Sequence, residues 1–166
     1  LEGKTDYAVV FGQLTKRDGA FIVGRTQNDS FDWSGMENSE VIVGRKGGVP
    51  AMTLEHILRE KGYINGENIT LNFDVSFNLM GPAFDGGTGD YVALFEPTAS
   101  EMEKLGKGYV LASIGQESGE IPYTAFMASK SYIANNQDII LKFLSAIQKG
   151  IDYTYNADST EIATVI

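Results

Sequence analysis

Residues Val41 to Met52 leave this chain little choice of fold. Val41-Ile42-Val43 is a β-branched run that suits a buried strand. Gly44-Arg45-Lys46-Gly47-Gly48 follows, a cationic turn whose glycines let the backbone bend sharply and come close to a ligand. Pro50 suits the first turn of a helix, where its missing N–H costs nothing. Met52, Leu54, Ile57 and Leu58 then recur at helical spacing, and Gly62 marks the helix end. A strand, a glycine turn and a helix start together make a βα unit. The helix start offers free N–H groups and the positive end of a dipole, a seat for an anion or a polar group. The same glycines also suit an ordinary βα turn, so the seat is one of two readings.

The rest of the chain repeats the alternation. Tyr7–Phe11 is expected as a buried strand, Gly12–Gly19 as a polar connection and Ala20–Gly24 as a second strand. Thr26–Glu40 is expected as a loop anchored by Trp33. A half-buried strand is expected at Ile69–Asp74, then a short helix over 77–84 broken by Gly81-Pro82. Asp85–Asp90 is a second glycine turn and Tyr91–Phe95 a strand. Thr98 and Glu101 have the spacing of a capping box for a helix running to Leu105. Gly108–Ile114 is a strand, Gln116–Glu120 a polar loop and Tyr123–Ala128 the last strand. Ser129–Asn135 is a short helix or turn. Asn136 caps a long helix with Ile139, Ile140, Phe143, Leu144, Ile147 and Ile151 on its apolar face. A further helix starts at Ser159 or Thr160. The pattern predicts an α/β sandwich with a largely parallel sheet. Ligands of such sheets sit outside the carboxyl ends of the strands.

Composition narrows the function. A net charge of −9 argues against a general nucleic-acid or anionic-membrane surface. With no cysteine there is neither a disulfide framework nor a thiolate metal site, and one histidine, His56, rules out sites built on several. No spacing of metal ligands is present, and no cofactor motif. Gly44-Arg45-Lys46-Gly47-Gly48 lacks the ending of a P-loop, and Asp85-Gly86-Gly87-Thr88-Gly89 has no serine for a nucleophile elbow. Asp90 and Glu96 flank one strand and are weighed as an acid–base pair, against the ordinary reading of two surface carboxylates. Phe77, Phe84, Tyr91, Phe95 and Tyr123 fall near strand ends, where they suit a core or a cleft wall. No apolar run is long enough to span a bilayer and no signal peptide is visible.

An ordered set of motifs then carries a resemblance. It comprises Gln13 to Val23, the Gly44–Pro50 turn, Gly87-Thr88-Gly89-Asp90-Tyr91 through Phe95-Glu96-Pro97, and Pro122–Phe126 followed by Ser131-Tyr132-Ile133. The set resembles the solute-binding proteins of ABC importers for nitrate, sulfonates, taurine and thiamine-pyrimidine precursors, the type II periplasmic binding proteins. The resemblance covers nearly the whole chain. It implies a three-layer α/β lobe at 20–122, a lobe-one remnant and crossover at 1–19, and a return crossover with lobe-one helices at 123–166. It implies that most of lobe one is missing from this sequence, a fragment without a signal sequence. The resemblance further implies no enzyme, a small polar or anionic ligand held between two lobes, and delivery to a permease and its ATPase. It places the protein in the periplasm or outside the cell, lipid-anchored at full length. Gln13, Gly47, Gly48, Val49, Asp90, Phe95, Glu96 and Tyr123 are the ligand-site residues it carries over. The rival readings are an enzyme on this fold, of thiamine-pyrimidine or menaquinone-pathway type, and a regulator's sensing domain. The apolar face of the long helix predicts self-association of the truncated chain.

Overall fold

The computed structural model describes residues 3–165. The strands are β1 (Ala8–Thr15), β2 (Ala20–Gly24), β3 (Glu40–Ile42), β4 (Thr70–Asn72), β5 (Tyr91–Phe95), β6 (Tyr109–Ser113) and β7 (Thr124–Ser129). The α-helices are α1 (Val49–Glu60), α2 (Met80–Asp85), α3 (Thr98–Lys104), α4 (Ile114–Ser118), α5 (Lys130–Asn135), α6 (Gln137–Asn156) and α7 (Ser159–Val165). They form two compact units: Lys16–Tyr123, and Leu1–Thr15 together with Thr124–Ile166.

The larger unit is built on a five-stranded sheet in the order β4-β3-β5-β2-β6. β3 pairs parallel with β4 and with β5. β2 pairs antiparallel with both β5 and β6. The expected largely parallel sheet is therefore a mixed one: four strands point one way and β2 runs against them. The cause is connectivity, since β2 enters the sheet at the edge where its neighbours end. Ile22, Val23, Val41, Ile42, Val92, Ala93 and Leu94 are buried, the continuous apolar runs of strands covered on both faces. α1 and α4 pack on each other, while α2 and α3 lie on β5 and β6.

Local chemistry explains the boundaries. α1 buries Ala51, Leu54, Ile57 and Leu58, but Met52, expected on that face, is half exposed; Ala51 takes its place one step round the helix. At the other end Gly62 has φ +86°, its N–H donates to the Arg59 carbonyl, and the Tyr63 N–H donates to that of Leu58. That pair of bonds is a Schellman cap, and it requires the left-handed residue that glycine supplies. Gly81-Pro82 does not break its segment. A short 3-10 helix at Phe77–Leu79 runs into α2, and Pro82 falls in the first turn, where it is tolerated. The loop expected at Gln116–Glu120 is mostly the helix α4, capped by the Ser113 hydroxyl, which accepts the Gln116 N–H. Thr98 is the first residue of α3 and not its cap. Trp33 opens a 3-10 helix, Trp33–Met36, and packs edge-on against Phe31.

The smaller unit pairs β1 with β7 antiparallel. β1 is longer than expected and mostly exposed or half-buried, because it belongs to a two-stranded ribbon with α6 as its cover. Phe126 and Phe143 meet edge-to-face at 4.8 Å, with Phe11 5.9 Å from Phe143. Ile140 is buried, whereas Ile139 is half exposed, so the apolar face of α6 is only partly covered. Asn136 is the N-cap residue of α6, as expected, and its carbonyl accepts the Ile140 N–H; its side chain makes no capping bond there and instead donates back to the Tyr132 carbonyl in α5. Ser129 caps α5 through the Tyr132 N–H, and Asp6 adds a second acceptor at that end, taking the Ser131 N–H at 2.8 Å and its hydroxyl at 2.6 Å. Those bonds from Ser131 hold the Asp6 carboxyl below its ordinary range.

Two glycine substitutions separate these packing effects. A Cβ on Gly115 would stand 2.1 Å from the Asp18 carbonyl oxygen, backbone that has no room to move. Gly115→Ala should lower unfolding free energy by about 1–3 kcal/mol, the usual cost of overpacking. Gly150, within α6, has nothing within 4 Å of its would-be Cβ. Gly150→Ala should raise stability by about 0.5–1 kcal/mol through helix propensity. Urea unfolding of both variants checks the pair of signs.

Candidate functional site

One edge of the larger sheet gathers the starts of its helices. There β3 leads to α1, β4 to the 3-10 turn before α2, β5 to α3 and β6 to α4. The start of β2 lies at the same edge, since Ala20 pairs with Phe95 and Phe21 with Ser113. This is the carboxyl edge of the four co-directional strands, where open α/β sheets bind ligands.

The turn from β3 to α1 is tighter than a simple anion loop. Gly44 and Gly47 have φ of +75° and +76°, in the region glycine tolerates. The Gly48 N–H turns inward and donates to the Arg45 carbonyl at 3.0 Å, so it is not presented to a ligand as expected. The Met52 N–H bonds the Gly48 carbonyl and Pro50 has no N–H. Among the described residues, the N–H groups of Val49 and Ala51 are left at the helix start without a hydrogen bond. Val49 is exposed, with Arg45 and Lys46 beside it in sequence; Lys46 lies over the Phe73 ring. A polar or anionic group would meet the helix start at Val49.

Phe95 closes β5 at this edge. Its ring carbons lie 3.4 Å from the place of a Cβ on Gly19, so Gly19 lets the ring rest on the segment entering β2. Phe77 leans on the outer side of Phe95, with ring centroids 5.6 Å apart. Glu96 is at the same edge but is committed elsewhere. One carboxylate oxygen accepts the Ser100 N–H at 3.0 Å and the other its hydroxyl at 2.7 Å, so Glu96 performs the capping expected of Thr98 and Glu101.

Asp90 is not at this site. It precedes β5, whereas Glu96 follows it, and the strand carries the chain about 17 Å at ~3.3 Å per residue. Asp90 bonds the Glu40 N–H at the opposite edge. The two carboxylates therefore cannot act as an acid–base pair. Gln13 belongs to β1 in the smaller unit, where its amide donates to the Thr15 carbonyl. His56 is on the exposed side of α1.

Asp18 was not foreseen. It is 5% exposed; Oδ1 accepts the Ala20 N–H at 2.8 Å, and Oδ2 is buried without a hydrogen-bond partner. Its signal in the sequence was only its place before Gly19, indistinguishable from a turn aspartate. Burial raises its carboxyl above the ordinary value, against the bond from Ala20 and the nearby Thr53 hydroxyl. Burial, with the charge of Asp18 adding to it, pushes the Tyr123 phenol up to about 12, so Tyr123 keeps its proton at neutral pH.

Asp18 binds its proton more tightly in the folded chain than in the unfolded one. Its contribution is therefore fully present below the unfolded value and is lost as pH rises through the raised one. At neutral pH the buried charge costs stability, about 1.4 kcal/mol for each pKa unit of elevation. Asp18→Asn keeps an oxygen for the Ala20 N–H. It should raise the melting temperature at pH 7 and lose that advantage near pH 3, as thermal unfolding at the two pH values would register.

No helix among the described residues is long and apolar enough to cross a membrane. Comparison with known proteins adds the family. The signature of the NMT1/THI5-like family matches residues 35–160. The candidate binding protein YtlA of Bacillus subtilis (strain 168) is 41% identical over 165 residues, 99% of this chain and 49% of that protein. The periplasmic aliphatic sulphonate-binding protein SsuA of Escherichia coli superposes with a TM-score of 0.74 at 19% identity, over 89% of this chain and 50% of its own. The alkanesulfonate-binding protein SsuA of Xanthomonas axonopodis pv. citri, bound to MOPS, gives 0.68 at 17%, over 86% and 48%. The chain thus spans about half the length of the relatives it matches, and its fold is that of the type II periplasmic binding proteins. With the family signature extending over most of its length, the chain belongs to the NMT1/THI5-like family.

Proposed function

We propose that this chain is part of an extracytoplasmic solute-binding component of an ABC importer. It takes a small polar or anionic solute at the carboxyl edge of its larger sheet and hands it to a permease driven by an ATPase. The observation that carries this reading is the convergence at one edge of the α1 start, with the Val49 and Ala51 N–H groups unspent, and the Phe95 ring. A placed polar group beside an apolar wall is what a small-molecule site needs. The family and the relatives named for binding support it. In this reading 20–122 is the ligand-binding lobe, and 1–19 with 123–166 belongs to the other lobe. The whole protein is anchored by lipid outside the cytoplasm.

Gly48 is a poor place to test the seat, since a Cβ there would press within 3.1 Å of the Arg45 carbonyl oxygen. Val49 is better, because its side chain is exposed. A carboxylate introduced by Val49→Asp would occupy the helix start and repel an anion. We expect the intact protein to gain several degrees of melting temperature with one or more of nitrate, taurine, short sulfonates or aminopyrimidines. Val49→Asp should weaken that binding at least tenfold with little change in unliganded stability. Wild-type affinity in the variant, measured by calorimetry, would place the seat elsewhere.

A further inference from the structure

The buried carboxyl of Asp18 takes no part in the binding reading, yet it stands beside the helix that offers the seat. Thr53, itself buried, brings its hydroxyl to the Asp18 carboxyl and lies one turn of α1 from Val49. We propose that Asp18 couples solute capture to a proton: an anion docking at the start of α1 is taken up together with a proton on the Asp18 carboxyl. The proposal rests on the carboxyl-edge binding reading above and adds its regulation by pH.

Geometry makes the neutral acid the better-matched form. As a carboxylate, Asp18 has one satisfied oxygen. Oδ1 takes the Ala20 N–H, and among the described residues no hydrogen bond reaches the buried Oδ2. Thr53 cannot supply that bond, because its single hydrogen is spent on the Val49 carbonyl at 2.8 Å. Its oxygen can still accept. A proton on Oδ2 would complete a relay from Asp18 to the Thr53 oxygen and on to the Val49 carbonyl. The surrounding elements leave the charged form without a counterion. Before β2, Arg17 sends its guanidinium to the Gly115 carbonyl at 3.1 Å, and Lys16 is exposed. On α1, Glu55 pairs with Arg59 and His56 is exposed. On α4, Glu117 pairs with Lys61, and after β5 Glu96 is bonded to Ser100. Tyr123, whose phenol feels the Asp18 charge, keeps its own proton. A bare buried charge repels an anion placed one helical turn away, about 6 Å along the axis, and little water screens the two. Protonation removes that repulsion. By reciprocity, a docked anion makes Asp18 hold its proton more tightly. Affinity is therefore highest where Asp18 is neutral and falls as pH rises through its raised range.

Methanesulfonate and nitrate keep one charge across the working pH range and serve as probes. Each is titrated by calorimetry into the intact protein and into Asp18→Asn, at pH 5 and pH 8, in two buffers of different ionisation enthalpy. Salt at about 0.15 M screens the exposed charges. We expect wild type to bind severalfold more tightly at pH 5 and to take up a fraction of a proton per anion bound there. Asp18→Asn should bind with nearly equal affinity at both pH values and take up none. Unfolding curves check that the variant is folded, and the wild-type proton count stands without it. If the anions bind but wild type shows neither pH dependence nor proton uptake, or Asp18→Asn keeps both, the linkage is overturned while solute binding stands. If neither anion binds at either pH, the anion seat falls and the linkage with it.

Discussion

Everything at the carboxyl edge of the larger sheet depends on one reversed strand. β2 lies between β5 and β6 and runs against both. A parallel strand at that position would put its first residue at the far edge. Reversal brings Asp18, Gly19 and Ala20 to the edge where β3, β4, β5 and β6 finish and the helices begin. Two local contacts hold the entry. The Asp18 carboxylate accepts the Ala20 N–H, and the Gly115 backbone sits against the Asp18 carbonyl so closely that no side chain fits there. Arg17 adds a bond to the Gly115 carbonyl at 3.1 Å. The end of β6, the start of α4 and the start of β2 are thus locked together, and an edge of the Phe95 ring rests against Gly19.

Much of the larger unit is legible in the sequence because its signals are local. A β-branched run marks β3, a continuous apolar run marks β5, and the 54, 57, 58 spacing with Gly62 marks α1 and its cap. What escapes depends on partners far along the chain. The direction of β2 cannot be seen in Ala20–Gly24, since an apolar pentapeptide pairs either way. Glu96 replaces Thr98 as the cap of α3 because its side chain reaches Ser100, four residues on, a choice the spacing Thr98–Glu101 conceals. Ser113 was hidden in the same manner, as an unremarkable strand end that proves to be a helix cap. At the site, residue type does not tell which edge of the sheet a residue reaches. Asp90 and Glu96 look like neighbours across a strand, yet a strand separates its two ends as far as the sheet is wide. Asp18 was invisible because burial, not identity, makes it unusual.

The polar groups at the edge divide into those already satisfied and those still open, and the division favours one kind of ligand. Glu96, the Gly48 N–H and the Arg17 guanidinium have partners within the chain. Asp18 is sealed, and its charge repels an anion brought too deep behind α1. What remains open is shallow: the Val49 N–H and the exposed Phe77 ring. A site with few donors and a sealed negative charge behind them binds a compact anion weakly, because an ion must shed its water for incomplete replacement. Apolar contact has no such penalty, and the area of a ring can provide the affinity that the donors only orient. The net charge of −9 acts in the same direction: it opposes long-range attraction of anions, so in the proposed binding reading short-range packing would carry the discrimination between solutes.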